Sequence, residues 1–166
     1  REFLLHLLLG LATFIGIYLV VDLFERIDVF IDYRAPLTLV LAYYAAFNRG
    51  DWDAMLALVT DDVAHDINQG GRETGKAAFA QFLARMNRCY REQLRDIVVL
   101  ANIGGARVAA EYTVHGEYLA DDTGLPPAHG QKYALPGGAF FDIRDGRIAR
   151  VTNYYNLEDW VAQVSK

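Results

Sequence analysis

The sequence predicts an α+β domain, in which helices come first and an antiparallel sheet follows, preceded by one hydrophobic helix. Three observations lead there. Apolar residues recur at helical spacing from Leu37 to Tyr90. From Asp96 onward they follow a strand period, and Asp145-Gly146 marks a hairpin between the last two runs. Ahead of both, Phe3 to Val21 is apolar apart from His6 and Thr13.

That first run, at ~1.5 Å per residue, comes to just under the ~30 Å of a bilayer core. It is apolar all round the helix, whereas a surface helix carries a polar stripe. A secretory signal would be shorter and end in small residues. The run predicts a membrane helix over residues 3–21, with a buried core helix as the alternative. Asp22 to Asp32 forms a charged amphipathic linker. Residues 1–35 are therefore set apart from a second unit, residues 36–166. Arg1 on one side and Asp22, Glu25 and Asp28 on the other place the amino terminus in the cytoplasm and the second unit across the membrane. Without that anchor the domain is expected to be soluble and cytoplasmic.

Within the second unit, Pro36 suits the first turn of a helix. Leu37, Val40, Leu41, Tyr44 and Phe47 continue it to Asn48-Arg-Gly50. Asp51 is an N-cap for a second helix with Trp52, Met55, Leu56 and Val59 on its apolar face, ended by Thr60-Asp-Asp62. Val63, His65 and Ile67 alternate as a strand, and Gln69-Gly-Gly71 turns the chain. A third helix after Gly75 carries Phe79, Phe82, Leu83, Met86 and Tyr90 on one face. Strands follow over residues 96–102, 107–118, 132–143 and 147–155, then a short helix over 157–164. Helices laid on one face of such a sheet make an α+β architecture.

The 166 residues allow one domain with a real core plus one extra element. A formal net charge of −5, with no cluster of Lys and Arg along one face, excludes nucleic acid as the main partner. The single cysteine, Cys89, excludes an internal disulfide framework. The only serine is Ser165, which removes a Ser-His-Asp hydrolase. His6, His65, His115 and His129 have no Cys or carboxylate neighbours at ligand spacing, so no metal site is expected. No Gly-rich phosphate loop lies between a strand and a helix, so no nucleotide or redox cofactor is expected.

Several strings in order carry a family resemblance: Tyr43-Tyr-Ala-Ala-Phe-Asn-Arg-Gly-Asp51, Asp61-Asp-Val-Ala-His65, Gly75 before the helix with Phe79, Gly124-Leu-Pro-Pro127, and Phe141-Asp-Ile-Arg-Asp-Gly-Arg-Ile148 leading to Tyr154-Tyr-Asn156. Residues 36–166 resemble the ketosteroid isomerase-related and polyketide cyclase-like (SnoaL-like) domains of the nuclear transport factor two-like superfamily. The resemblance implies a cone-shaped curved sheet wrapped on three helices around one apolar cavity for a small ligand. Separately, residues 1–40, with Asp22-Leu-Phe-Glu-Arg-Ile27 and Tyr33-Arg-Ala-Pro-Leu-Thr38, resemble the first membrane helix of lipopolysaccharide export permease subunits.

Ketosteroid isomerases move a proton with an Asp base while a Tyr and a protonated Asp hold the enolate oxygen. Aligned on this chain, the Tyr falls on Tyr43, the base on Ile67 between Asp66 and Asn68, and the protonated Asp near Gly138 or Ala139. The acid/base residue of the polyketide cyclases falls near Asn153. Strand parity turns His65, Tyr112, Asn153 and Tyr155 inward, lined by Val108, Ala110, Val114 and Val151. His65 is the inward group that titrates near neutrality. The expected catalytic set is Tyr43 with His65 or Asp66. Asn68, Tyr112, Asn153 and Tyr155 are the expected substrate contacts. For each, ordinary packing or a solvent-facing strand position is the alternative.

The expected function is acid/base proton transfer or cyclisation on a small apolar carbonyl compound, without metal or nucleotide. The rivals are a non-catalytic ligand-binding or dimerisation module of the same fold and a fragment of a membrane transport complex. Glu111, His115 and Glu117 alternate outward on the long strand, which suits a homodimer through the sheet.

Overall fold

A computed structural model describes the backbone of residues 2–68 and 70–166, and the side chains of residues 13–24, 26, 34–68 and 70–166. Four helices and six strands follow one another as α1 (Glu2–Arg49), α2 (Trp52–Ala57), β1 (Val59–Asp66), β2 (Arg72–Thr74), α3 (Lys76–Cys89), β3 (Tyr90–Ala101), β4 (Arg107–Tyr118), β5 (Gln131–Arg144), β6 (Arg147–Tyr155) and α4 (Leu157–Val164). The strands form one sheet in the order β2-β1-β6-β5-β4-β3. All neighbours are antiparallel except β1 and β6, which run parallel. The α+β prediction is met, with helices α1 to α3 on one face.

The second half of α1 shows why these residues make a helix that stays. Val40, Tyr43, Tyr44 and Phe47 fall at i, i+3, i+4 and i+7, and the first three are buried. They pack on Val108, Ala110, Tyr112 and Phe141 from the sheet, and on Met55, Val59, Phe79 and Leu83. Asn48 then pins the helix end to β3. Its side chain donates to the Leu94 carbonyl at 2.9 Å and accepts from the Leu94 N–H at 2.8 Å. A second core cluster joins α4 to the sheet through Trp160 and Val164, packed with Cys89, Tyr118, Tyr133 and Leu135. Asn156 caps α4 by accepting from Glu158 and Asp159 N–H groups.

The first half of α1 differs from expectation. Among the described residues no helix is long and apolar enough to cross a membrane. Residues 3–12 of the expected span lie outside the described side chains. The apolar run ends at Asp22, whose carboxylate pairs with Arg26 at 2.8 Å. Pro36 sits inside α1 and not in a first turn, so no break in secondary structure marks residue 36.

Smaller differences have local causes. α2 stops at Ala57, and Val59 already belongs to β1, because Thr60-Asp-Asp62 is strand and not helix end. β3 begins at Tyr90, the residue directly after α3, and not at Asp96. Asp96, at a positive φ of 54°, sits in a bulge between Arg95 and Val98 that bends the sheet. The short strand β2 was not anticipated. It pairs His65 with Glu73 across the expected turn, of which Gln69 lies outside the described residues.

Every described side chain from Thr13 to Val21 is exposed, as are Arg34 and Ala35. Phe14→Ser or Tyr18→Ser is expected to leave the melting temperature within about 2 °C of the parent by scanning calorimetry, since substitutions at exposed positions change stability by under ~0.5 kcal/mol.

Candidate functional site

The floor of the site is set by how tyrosines and glycines face each other across β3, β4 and β5. In the register, Tyr133 lies opposite Gly116, and Gly116 lies opposite Glu92. A side chain at position 116 would bring its Cβ within 2.1 Å of the Tyr133 ring. Glycine therefore lets that ring lie across β4 and reach β3. Tyr112 uses Gly137 in the same way, with a would-be Cβ 2.8 Å from its ring. The Tyr133 hydroxyl arrives at Glu92 and donates to its Oε1 at 2.5 Å.

Glu92 is the acidic group of this floor. Burial raises its carboxyl above the ordinary glutamate range, and the hydrogen bond from Tyr133 opposes that only in part. Burial, then the Glu92 charge, raises the Tyr133 phenol in turn. The Tyr112 phenol is raised by burial first and the Glu92 charge second. Glu92 borders a cavity of about 310 Å3 between the end of α1, Trp52, Met86, Tyr90 and Leu119. A carboxyl whose pKa is raised by burial, beside a phenol donor, can accept or return one proton.

The structure sorts the residues expected from the sequence. Tyr43 is buried, edge-on to Tyr44 at 5.5 Å and to Phe141 at 5.7 Å, and burial raises its phenol. Tyr112 is buried on the same floor, edge-on to Tyr44 at 5.4 Å. His65 is 1% exposed, with its ring 5.2 Å from Phe79 and 4.3 Å from Phe82. Its Nε2 lies 3.5 Å from the Asn153 amide, and its Nδ1 has no hydrogen-bond partner among the described residues. Burial lowers its pKa to about 4, so the imidazole is neutral at pH 7. It is a weaker base than its residue type suggests.

Asp66 does not join this group. Its position in β1 sends it to the opposite side of the sheet from His65. There it accepts two hydrogen bonds from Arg72, at 2.6 and 3.0 Å, and one from Thr152 at 2.7 Å, with Arg150 at 3.6 Å. The Arg72 hydrogen bond is the main reason its carboxyl lies far below the usual range. A carboxylate tied to two guanidiniums is a poor proton acceptor. Asn68 binds main chain, donating to the Tyr155 carbonyl at 3.0 Å. With Asp66 and Arg72 it borders a second, shallower cavity of about 300 Å3. Tyr155 faces inward at the mouth, 40% exposed. Burial raises its phenol, Asn68 opposes this, and Glu92, Arg85 and Asp122 act on it in that order.

Sequence reasoning missed Glu92, Tyr133 and the two glycines that seat the rings. The parity count along β5 that turns Ala139 and Phe141 inward also turns Tyr133 inward, so that part of the signal was present.

For His65 the pH dependence follows from the sign of its shift. The unfolded chain takes up the proton near pH 6.5 and the folded one only near 4. Stability present above pH 6.5 is therefore lost as the pH falls toward 4, by about 3 kcal/mol in all. Urea unfolding at pH 7 and pH 4.5 should show His65→Gln losing clearly less stability between the two than the parent protein.

The comparisons with known proteins agree with this fold. The SnoaL-like domain family matches residues 40–151. No curated protein matches the chain. A crystal structure from Pseudomonas putida KT2440, named for a proposed polyketide cyclase, is 67% identical and superposes with a TM-score of 0.77, covering 78% of this chain and 97% of that one. A second, from Xanthomonas campestris pv. campestris and named in the same way, is 68% identical with a TM-score of 0.78, covering 80% of this chain and 98% of its own. A nuclear transport factor two-like protein from Burkholderia xenovorans LB400, 17% identical with a TM-score of 0.65 over 80% of this chain and 97% of that one, shares the fold. On the cone of sheet and helices and on the match across residues 40–151, the chain belongs to the SnoaL-like family of nuclear transport factor two-like domains.

Proposed function

We propose that this protein is an acid/base enzyme that moves a proton on, or cyclises, a small and largely apolar carbonyl compound. In this reading Glu92 takes and returns the proton, and Tyr133 positions it. One observation supports this above the rest: a half-buried carboxyl on the wall of a 310 Å3 cavity, raised by its surroundings and sharing a 2.5 Å hydrogen bond with a phenol behind it. The names given to the Pseudomonas and Xanthomonas relatives favour cyclisation over isomerisation. Tyr112, Asn153 and Tyr155 are proposed as substrate contacts from the inward faces of β4 and β6, although none of them lines the cavity that Glu92 borders. His65 serves as a neutral hydrogen-bonding group, and Tyr43 packs behind the floor.

Glu92 as base must be ionised, so activity should fall as the pH drops through its raised pKa, above the ~4.3 of an ordinary glutamate. Ionisation of that buried carboxyl works against the fold. Its contribution to stability is intact below the unfolded pKa and is lost as the pH rises through the folded one. Glu92→Gln should therefore melt higher than the parent at pH 8 and alongside it at pH 4. On a panel of β,γ-unsaturated ketones and linear β-diketones, the same variant should lose about 100-fold or more in kcat/KM. Parental rates in the variant would sink the proposal, as would binding without turnover across the panel.

We further propose that the protein pairs with a second copy through the outer face of its sheet. Leu100, Ala109 and Phe140 share one row across the strands, and Val98, Glu111, Gly138 and Tyr154 share the next. Val98, Leu100, Phe140 and Tyr154 are all at least half exposed, an apolar face that suits an isologous dimer. Sedimentation equilibrium should give a dimer for the parent and a monomer for Phe140→Lys.

A further inference from the structure

The closing helix α4 carries a buried indole that reaches back toward the site. Trp160 is 4% exposed and lies in the cluster with Cys89, Tyr118, Tyr133, Leu135 and Val164. Three tyrosine rings meet it edge-on: Tyr118 at 5.2 Å, Tyr133 at 5.8 Å and Tyr90 at 6.2 Å. Two of them belong to the site. Tyr133 donates to Glu92, and Tyr90 lines the cavity that Glu92 borders.

A buried tryptophan fills a core wherever it sits; this one is fastened beside a particular ring. α4 is tied to β5 on both sides of Tyr133. The Gln131 amide donates to the Val164 carbonyl at 2.7 Å. The Gln163 side chain accepts from the Ala134 N–H and donates to the Ala134 carbonyl, each at 3.0 Å. The indole is thereby set against the Tyr133 ring, and edge-on aromatic pairs prefer one orientation over others. On its other flank that ring lies over Gly116, where a Cβ would come within 2.1 Å of it. Bare backbone gives the ring room and no wall. Its hydroxyl must nevertheless stay 2.5 Å from a carboxylate two strands away.

We propose that Trp160 is a positioning residue of the site: it holds the Tyr133 ring over Gly116 so that the hydroxyl stays on Glu92. The inference rests on the acid/base reading for what the pair does. Its test reads the pair itself, so the two can fail separately.

A donor on a carboxylate favours the charged form, so a displaced Tyr133 hydroxyl moves the Glu92 titration to higher pH. A cluster that merely loosened would admit water and move it lower, toward an ordinary glutamate. The direction separates positioning from general support of the fold. Of the groups around Glu92, namely Tyr133, Tyr112 and Tyr155, with Arg49 and Arg91 on the cavity rim, Tyr133 is the one that meets Trp160 among the described residues. Tyr90 also meets it, but its hydroxyl is committed to Asp122 at 2.9 Å.

Carboxyl-carbon NMR follows Glu92 directly, its signal being the one that Glu92→Gln removes. Trp160→Phe, which keeps an apolar ring and loses the reach of the indole, should titrate Glu92 at a higher pH than the parent. Trp160→Leu should move it further. Val164→Ala, which loosens the same cluster and leaves the ring contact, should match the parent. Tyr133→Phe should also titrate high, and adding Trp160→Phe to it should bring no further rise. For any panel ketone that turns over, the acid limb of kcat/KM should move with the Glu92 titration. An unchanged or lowered titration in Trp160→Phe overturns the assignment, as does a further rise in the double variant. A panel without turnover overturns Glu92 as base, while a raised Glu92 titration in Trp160→Phe still supports the role of Trp160.

Discussion

The hydrogen bond between Tyr133 and Glu92 connects strands that are not neighbours, and much of the molecule is arranged so that it can form. A phenol on β5 reaches a carboxyl on β3 only if the strand between them offers no side chain. Gly116 meets that condition, and Gly137 repeats it one step along for Tyr112. The Asn48 clamp then holds β3 against α1, which keeps Glu92 over the floor. The cost of burying the carboxyl is met locally by one strong donor and broadly by the aromatic core around it.

The sheet separates two kinds of polar surroundings. On the concave side, groups are few and their pKa values are moved by burial, as for Glu92, His65 and the tyrosines. On the convex side, charges are many and matched: Asp66 with Arg72 and Arg150, Asp142 with Arg150 and Arg107, and Asp62 with Arg144. Strand alternation assigns each residue to one side or the other. Asp66 and His65 are adjacent in sequence and are pushed in opposite directions, one carboxyl held ionised by guanidiniums and one imidazole held neutral by phenylalanines.

Much of this organisation was legible from the sequence. The limits of β4 and β6 match the reading from Arg107 to Tyr118 and from Arg147 to Tyr155, because Gly104-Gly105 and Asp145-Gly146 mark turns beside them. The inward placement of His65, Tyr112 and Asn153 followed from parity. Glu92 did not follow, for two physical reasons. It lies in the run Arg91-Glu-Gln93, which reads as a solvated face, and the bulge at Asp96 breaks the parity count between the visible part of β3 and its start. Helix periodicity also carried α3 on to Tyr90, where the backbone in fact turns to extended. At the other end, a long apolar run looked like a bilayer span, whereas among the described residues no helix is long and apolar enough to cross a membrane.

Tyr133 has a second neighbour that bears on how the protein is made. Its ring packs edge-on against Trp160 of α4 at 5.8 Å, within the cluster that also holds Tyr118 and Val164. Glu92 and Gly116 are synthesised well before that helix, yet the phenol that completes the pair is braced by the last element of the domain. Until α4 docks, the phenol that meets Glu92 lacks its brace, so the floor of the pocket can form before that hydrogen bond is fixed.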